Sequence, residues 1–120
     1  MIRLISLVFA LVISFSCGHS SGDINSQLIE AVKDGDIGKV RVLIAKGAYI
    51  NTTDDKGGTP LHWAAYYGRK DIAKLLLMQG ADINQKDKYG LTPVDVARIN
   101  QKREILELFK RYKSKNSVPE

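Results

Sequence analysis

A period of 33 residues constrains this chain more strongly than any other feature of its sequence. The segment DDKGGTPL that begins at Asp54 returns as DKYGLTPV at Asp87, and KGAYIN at Lys46 returns as QGADIN at Gln79. Further positions keep the same register through three copies without an insertion: Leu28, Leu61 and Val94; Ala31, Ala64 and Ala97; Leu43, Leu76 and Phe109. A fixed period of this length indicates a solenoid, in which each unit buries its apolar face against its neighbours.

Each unit has the sequence of two short helices. In the middle copy, Thr59 is suited to an N-cap, and Pro60 is suited to the first helical position, where its missing N–H costs nothing. We predict a first helix over 60–67 and a second over 70–79, each ended by a glycine. Neither helix is long enough to be stable alone in water, so the units must stabilise one another by stacking.

The middle unit resembles an ankyrin repeat over its whole length. It reads GTPLHWAAYYG from Gly58, followed by the pair LL at Leu75 and by GADIN at Gly80. The resemblance covers residues 23–113 and implies an all-α solenoid of helix-turn-helix units with short β-turn or hairpin loops. It divides this domain into three repeats, at about 23–53, 54–86 and 87–113.

The first and last repeats depart from the pattern of the middle one. Ser26 and Gln27 stand where the middle repeat has Thr-Pro, and Asp95 stands where it has His62. Atypical ends are expected because terminal repeats must present a polar outer face to water. Beyond the last repeat we predict a flexible tail over 114–120.

The first residues of the chain have the order of charged and apolar groups found in a signal peptide. Arg3 supplies a positive charge, LISLVFALVISF runs from Leu4 to Phe15, and small residues follow from Ser16. As a helix this twelve-residue run would cover about 18 Å, whereas the hydrocarbon of a bilayer is about 30 Å thick. We therefore predict an export signal over 1–16, and the alternatives are an uncleaved anchor and a buried core helix.

Cys17 lies where this apolar run ends, and the four residues from Ser14 to Cys17 resemble a bacterial lipobox, in which the cysteine is lipidated. Ser16 fits the small residue of that motif, whereas Ser14 and Phe15 replace its usual Leu and small residue. A lipidated Cys17 would hold the protein on a membrane, since each buried methylene contributes about 0.8 kcal/mol. Residues 17–22 are then a tether. In the alternative interpretation an ordinary secretory signal is cut nearby and no anchor remains.

The sequence offers no set of side chains suited to catalysis or metal binding. Cys17 is the only cysteine, which excludes an internal disulfide, and His19 and His62 are too far apart for metal-ligand spacing. Gly57-Gly58 is not followed by the Gly-Lys-Ser/Thr of a phosphate loop. In ankyrin repeats the histidine after Thr-Pro-Leu is structural, and the resemblance gives His62 that role. We therefore expect no enzyme activity, no cofactor, no metal and no small-molecule substrate.

Ankyrin-repeat proteins usually bind through their turn tips and through the exposed face of their first helices. Carried onto this chain, the resemblance predicts partner binding by Lys33, Asp34, Asp55, Lys56, Tyr66, Tyr67, Lys88, Tyr89, Ile99 and Asn100. Tyrosine is favoured at interface hot spots, so Tyr66 and Tyr89 are the strongest candidates. The alternative is that these rings pack against a neighbouring repeat. Trp63 occupies a framework position, and we predict that it packs in the core.

The resulting hypothesis is a non-catalytic module that binds a partner protein and is exported and lipid-anchored through Cys17 at the bacterial cell envelope, in the periplasm or at the outer membrane. The first alternative is a secreted binder of a host or competitor protein. The second is an electrostatic binder of anionic lipid or a polyanion through the basic segment 98–115. Several of those charges, however, have the spacing of the solvent face of a final helix. The net charge of +5 is only a weak reason to expect nucleic acid, and we expect none.

Overall fold

The computed structural model describes residues 23–116, and this part of the chain contains six helices and no strand. The helices are α1 (Ile24–Asp34), α2 (Ile37–Ala45), α3 (Pro60–Tyr67), α4 (Lys70–Met78), α5 (Pro93–Ile99) and α6 (Arg103–Asn116). The predicted all-α repeat fold is confirmed. The predicted export signal over 1–16 and the tether over 17–22 that begins with Cys17 lie outside the described residues.

The helices form two rows that share one core. The first helices of the pairs pack on one another, α1 on α3 and α3 on α5, and so do the second helices, α2 on α4 and α4 on α6. We call α1, α3 and α5 the inner row, and α2, α4 and α6 the outer row. Each inner helix has one fully buried alanine at the same place in the repeat, which lets neighbouring helices approach closely: Ala31, Ala64 and Ala97. Larger side chains complete the core, among them Leu28, Leu61, Leu76 and Phe109.

The position of a repeat in the array decides how far its outer helix is buried. Val42, Leu75 and Leu108 occupy the same place in the three outer helices, but Val42 is 52% exposed and Leu75 only 8%. The reason is that α4 packs against both α2 and α6, whereas within residues 23–116 α2 has an outer-row neighbour on one side only. The same repeat position is therefore core in the middle of the array and surface at its end.

The helix caps that the sequence predicts are present in the structure. The Thr59 hydroxyl accepts a hydrogen bond from the backbone N–H of His62 at 3.2 Å, and Thr92 does the same for Asp95 at 3.2 Å. Gly68 ends α3 in the left-handed conformation, with φ of 70°. In the first repeat, which lacks Thr-Pro, the Asp23 carboxylate accepts from the backbone N–H of Ser26 at 2.7 Å. In the first repeat, an aspartate therefore replaces threonine as the residue that accepts a hydrogen bond from the unpaired N–H groups at the helix start.

The last helix is longer than the sequence analysis predicted. Helix α6 continues to Asn116, so three residues that we assigned to the flexible tail over 114–120 are helical. The Asn116 side chain donates to the carbonyl of Tyr112 at 2.9 Å. Lys113 and Lys115 lie in the last turn, where positive charge interacts favourably with the carbonyl end of a helix. These local interactions extend the helix beyond the end of the repeat pattern.

His62 joins the second repeat to the third. Its Nδ1 accepts from the backbone N–H of Thr59 at 3.2 Å, and its Nε2 lies 2.7 Å from the carbonyl oxygen of Leu91. Because a carbonyl can only accept, Nε2 carries the hydrogen and donates it across the repeat boundary. A second link runs between the turns, where the Lys88 N–H donates to the Lys56 carbonyl at 2.8 Å. His62 therefore has the structural role that the family resemblance implied.

The substitution His62→Asp tests this link with a residue that the chain itself uses at the same place in the third repeat. Aspartate keeps the hydrogen bond to the helix start, as Asp95 does to Thr92 N–H at 3.1 Å, but leaves the Leu91 carbonyl without its donor. We expect the free energy of unfolding, measured with urea, to fall by about 1–3 kcal/mol. Asp95→Asn is the control and should cost much less. Equal stability of His62→Asp and the parent would contradict the role of this bond.

Candidate functional site

Three aromatic side chains lie together on the solvent-facing side of α3. The ring centroids of Trp63 and Tyr66 are 5.6 Å apart at 74°, those of Trp63 and Tyr67 are 5.9 Å apart at 23°, and those of Tyr66 and Tyr67 are 4.9 Å apart at 85°. Spacings of three and four residues place these side chains on one face of the helix. Leu61, Ala64 and Ala65 lie on the buried face. We call Trp63, Tyr66 and Tyr67 the aromatic cluster.

Trp63 is less buried than the sequence analysis predicted. It packs against the core only in part, and the rest of its indole lines two surface clefts. Its Nε1 donates to Oδ2 of Asp54 at 2.8 Å, and the ammonium of Lys33 lies 4.4 Å from its ring centroid. A cation at this distance from an indole face is attracted by the ring quadrupole. The sequence predicted only that Trp63 occupies a framework position, because sequence alone does not reveal which edge of the indole remains exposed.

Asp54 stabilises the turn next to the aromatic cluster. Its Oδ1 accepts from the backbone N–H groups of Lys56 and Gly58, both at 2.9 Å. Burial by itself would raise the pKa of Asp54. The hydrogen bonds from Gly58, Trp63 and Lys56, together with the charge of Lys33, outweigh burial and hold the pKa below its ordinary value of 3.8. The ionised carboxylate therefore fixes both the turn and the indole.

Asp87 repeats this arrangement in the next turn. Its Oδ1 accepts from the backbone N–H of Tyr89 at 2.9 Å and of Leu91 at 3.0 Å. Neither aspartate was predicted as a site residue. Their separation by one repeat period is the sequence signal that could have indicated a shared role in the turns. The two turns stand side by side and present Lys56 and Tyr89 as exposed side chains.

The structure brings six of the ten predicted binding residues together at the aromatic cluster. Lys56, Tyr66 and Tyr89 line a cleft of about 120 Å³ with Trp63, over the buried side chain of Val96. A second and wider cleft of about 490 Å³ opens on the other side of Trp63, and its lining includes Lys33, Asp55 and Lys56. Tyr67, stacked on Trp63, completes the group.

The remaining four predicted residues lie apart from these clefts. Asp34 and Ile99 are the last residues of α1 and α5, and both are exposed. The Asn100 side chain donates to the carbonyl of Val96 at 2.8 Å and so closes the end of α5. Lys88 projects from the tip of the second turn. These residues remain predicted members of a wider surface around the aromatic cluster.

Arg69 is a structural support of this surface that the sequence analysis missed. Its Nη2 donates to the carbonyl of Lys33 at 2.7 Å, and its guanidinium carbon lies 5.5 Å from the ring centroid of Tyr67. It reaches across the repeat boundary against Gly35, where a β-carbon would lie 2.8 Å from that guanidinium carbon. Gly35 has a φ of 76°, so its backbone conformation favours glycine, and a larger residue there would displace the Arg69 guanidinium. No sequence pattern indicated the contact, because it joins two repeats.

Two other kinds of site are absent from residues 23–116. No group of three or more His, Cys, Asp or Glu side chains in this part of the chain is placed to hold a metal ion. Over the same range, no helix has both the length and the apolar character needed to cross a membrane.

The substitution Asp54→Asn tests how far the aspartate supports the aromatic cluster. Because the folded pKa lies below the unfolded one, the carboxylate contributes stability that is fully present above about pH 5 and is lost as the pH falls through the folded pKa. The stability difference between the parent and Asp54→Asn should therefore be largest at neutral pH and shrink towards about pH 2. The chain has one tryptophan, so the emission of Trp63 follows both unfolding and the indole contact. Asp55→Asn is the adjacent control, and a difference that stays constant with pH would contradict the assignment.

Comparison with known proteins agrees with the repeat architecture. The sequence profile described as "Ankyrin repeats (3 copies)" matches residues 5–87 and, in a second overlapping match, 28–118. The 2-5A-dependent ribonuclease of Mus musculus is 48% identical over 52 residues, which are 42% of this chain and 7% of the ribonuclease. GA-binding protein subunit beta-2 of Homo sapiens is 43% identical over 53 residues, 44% of this chain and 12% of that protein. Protein VAPYRIN-LIKE of Medicago truncatula is 37% identical over 48 residues, 40% of this chain and 10% of that protein.

These matches cover only a small part of each relative, so the activities of the whole relatives do not transfer to this chain. The two matches of the family profile together span all six described helices. The chain therefore belongs to the ankyrin-repeat family, whose repeats are protein–protein interaction modules and generally non-catalytic.

Proposed function

We propose that this protein is a non-catalytic adaptor that binds a partner protein through the aromatic cluster and the two adjacent turns, at the bacterial cell envelope. The observation that carries the proposal is the exposure of three touching aromatic rings on α3. Tyr66 and Tyr67 are 45% and 43% exposed, and Trp63 lies open to a cleft on each side. Contiguous exposed apolar surface of this kind is typical of binding sites.

The aromatic cluster is suited to protein recognition because its rings are already held in place. Trp63 is fixed by Asp54, and Arg69 packs beside Tyr67. Side chains that are ordered before binding lose little conformational entropy when a partner arrives. Tryptophan and tyrosine also combine a large apolar area with a polar group that can hydrogen-bond at the rim of an interface.

Charged side chains of both signs surround the rings. Lys33 and Lys56 flank Trp63, Asp55 lies in the same cleft, and Lys88 and Tyr89 stand on the next turn. An apolar centre with a mixed polar rim is the usual composition of a protein interface. The rim charges would mainly set the association rate and the choice of partner, and the rings would supply most of the affinity.

The relatives support binding in general and leave the partner open. GA-binding protein subunit beta-2 is named as a subunit of a larger protein, which fits a role in assembly. The match to the ribonuclease covers 7% of that enzyme, so we propose no ribonuclease activity for this chain.

The envelope location rests on residues 1–17 of the sequence. The positive start, the apolar run and the cysteine that follows it favour export with lipidation of Cys17. The polar residues 17–22 would then link the lipid to α1, which begins at Ile24. In this arrangement the repeats are held near a membrane while the inner row remains open to a partner.

Site-specific crosslinking tests the proposed binding surface. A photo-crosslinking phenylalanine analogue at Tyr66 should yield a discrete crosslinked protein in the native host. The same analogue at Tyr49, which is 61% exposed in the first repeat, should not. Once that partner is purified, Tyr66→Ala and Tyr67→Ala should each weaken Kd roughly 30-fold, the effect of losing about 2 kcal/mol at a hot spot. Tyr49→Ala is the matched control.

The emission of Trp63 and the thermal transition show whether each of these variants is folded. Equal crosslinking from positions 66 and 49, or a Kd that Tyr66→Ala and Tyr67→Ala leave unchanged, would exclude the aromatic cluster as the binding surface.

The substitution Cys17→Ser tests the proposed anchor. We expect the parent to remain with membranes after a high-salt wash, because acyl chains hold by burial of methylene groups and not by charge. Cys17→Ser should appear in the soluble or secreted fraction with an altered mobility on gels. If both proteins fractionate with membranes and have the same mobility, the lipoprotein proposal fails. Release of both proteins would favour the secreted alternative.

A further inference from the structure

The outer row carries a second surface that is unlike the aromatic cluster. Helices α4 and α6 leave a broad groove of about 1090 Å³ between them. Five basic side chains line it: Lys70, Lys74, Lys110, Arg111 and Lys115. Among the described residues that line the groove there is no Asp or Glu. We call this surface the basic groove.

The charges of the basic groove repel one another. Lys70 and Lys74 are one helical turn apart on α4, a spacing at which like charges are mildly destabilising. Arg111 is partly balanced by Glu107, whose carboxylate lies 3.7 Å away and is exposed. Lysines from two repeats surround the basic groove. An anionic surface that covers the groove would therefore relieve their mutual repulsion.

The floor of the basic groove is apolar. Leu77 is buried, Leu108 and Tyr112 are half-buried, and Met78 is 72% exposed. Lysine side chains can lay their methylene stems along such a floor while their ammonium groups stay in a polar layer. The combination of a lysine rim with an apolar floor that includes a half-buried tyrosine is typical of surfaces that lie at a membrane interface.

We propose that the basic groove docks on the headgroup surface of an anionic bilayer, with its lysines against lipid phosphates and Met78 and Tyr112 at the boundary of the acyl chains. Four of the five cations are lysines, which act as mobile point charges and need no fixed geometry. A groove built for one acidic peptide would instead be expected to use arginines placed for bidentate contacts. The open shape and the lysine content therefore favour a fluid anionic surface over a folded partner.

The tertiary structure is needed to recognise this surface. The basic segment 98–115 was visible in the sequence, but Lys70 and Lys74 belong to the preceding repeat and join the groove only through the packing of α4 beside α6. Arg98 and Lys113 of that segment line a different hollow, which is smaller and lies over Phe109. The groove is therefore a feature of two stacked repeats and not of the last helix alone.

Docking through the basic groove would leave the partner surface free. The groove is lined by outer-row helices, whereas the aromatic cluster lies on α3 of the inner row. A protein held in this way would turn its inner row away from the bilayer. The proposal does not depend on partner binding, and either one can fail without the other.

Vesicle partitioning of the full chain tests the proposal. Binding is measured to vesicles of phosphatidylcholine alone and of equal parts of phosphatidylcholine and phosphatidylglycerol, and the ratio of the two partition coefficients is compared between variants. Residues 1–22 are the same in every variant, so their contribution to the ratio cancels. The groove variant is Lys70→Gln/Lys74→Gln/Lys110→Gln. The matched control removes three exposed lysines from the turns: Lys56→Gln/Lys86→Gln/Lys88→Gln.

We expect the parent to prefer the anionic vesicles and to lose that preference as salt is raised. The groove variant should lose about 100-fold of the preference, since each basic residue near an anionic surface contributes about fivefold, and the turn variant should stay close to the parent. Equal loss in both triple variants, or no loss in the groove variant, would overturn the proposal.

The proposal would also be overturned if the parent showed no vesicle preference but bound a poly-glutamate peptide through Lys70, Lys74 and Lys110. That result would assign the groove to an acidic protein segment. Trp63 emission verifies the fold of each variant.

Discussion

The contact between neighbouring helix pairs is the interaction on which the rest of this structure depends. Of the six helices in residues 23–116, all but α6 have 11 residues or fewer, below the length at which a helix is stable alone in water. Each pair is therefore stable only when its apolar side meets another pair. A fully buried alanine at the same repeat position of each inner helix lets the pairs approach closely: Ala31, Ala64 and Ala97. His62, Arg69 and the turn-to-turn bond from Lys88 to Lys56 add directional links across the same boundaries.

Stacking of this kind divides the surface into two sides with different chemistry. On the inner row, α3 buries its small residues and is left with Trp63, Tyr66 and Tyr67 facing outwards. On the outer row, α4 and α6 bury leucine and phenylalanine and leave lysines around an open groove. An aromatic side for a protein and a basic side for an anionic bilayer would together suit a small adaptor that holds one molecule close to a membrane.

The turns have more than a connecting role. Asp54 and Asp87 each fold a turn by accepting two backbone N–H groups, and Asp54 also holds the indole of Trp63. The low pKa of Asp54 follows from these same hydrogen bonds, despite the opposing effect of burial. One carboxylate, that of Asp54, thus supports both the turn that shapes the middle repeat and the indole at the proposed binding surface.

The sequence by itself determined the helix pairs, because caps such as Thr59 and Gly68 act over a few residues and the 33-residue period marks which side of each helix is apolar. It also pointed to Lys33, Tyr66 and Tyr89 as surface residues. Only the tertiary structure decided that Trp63 is partly open, that Arg69 supports Tyr67, and that Lys70 and Lys74 share a groove with α6. The physical reason is one of range: capping and periodicity are local, whereas the exposure of a ring and the meeting of charges depend on contacts between residues of different repeats.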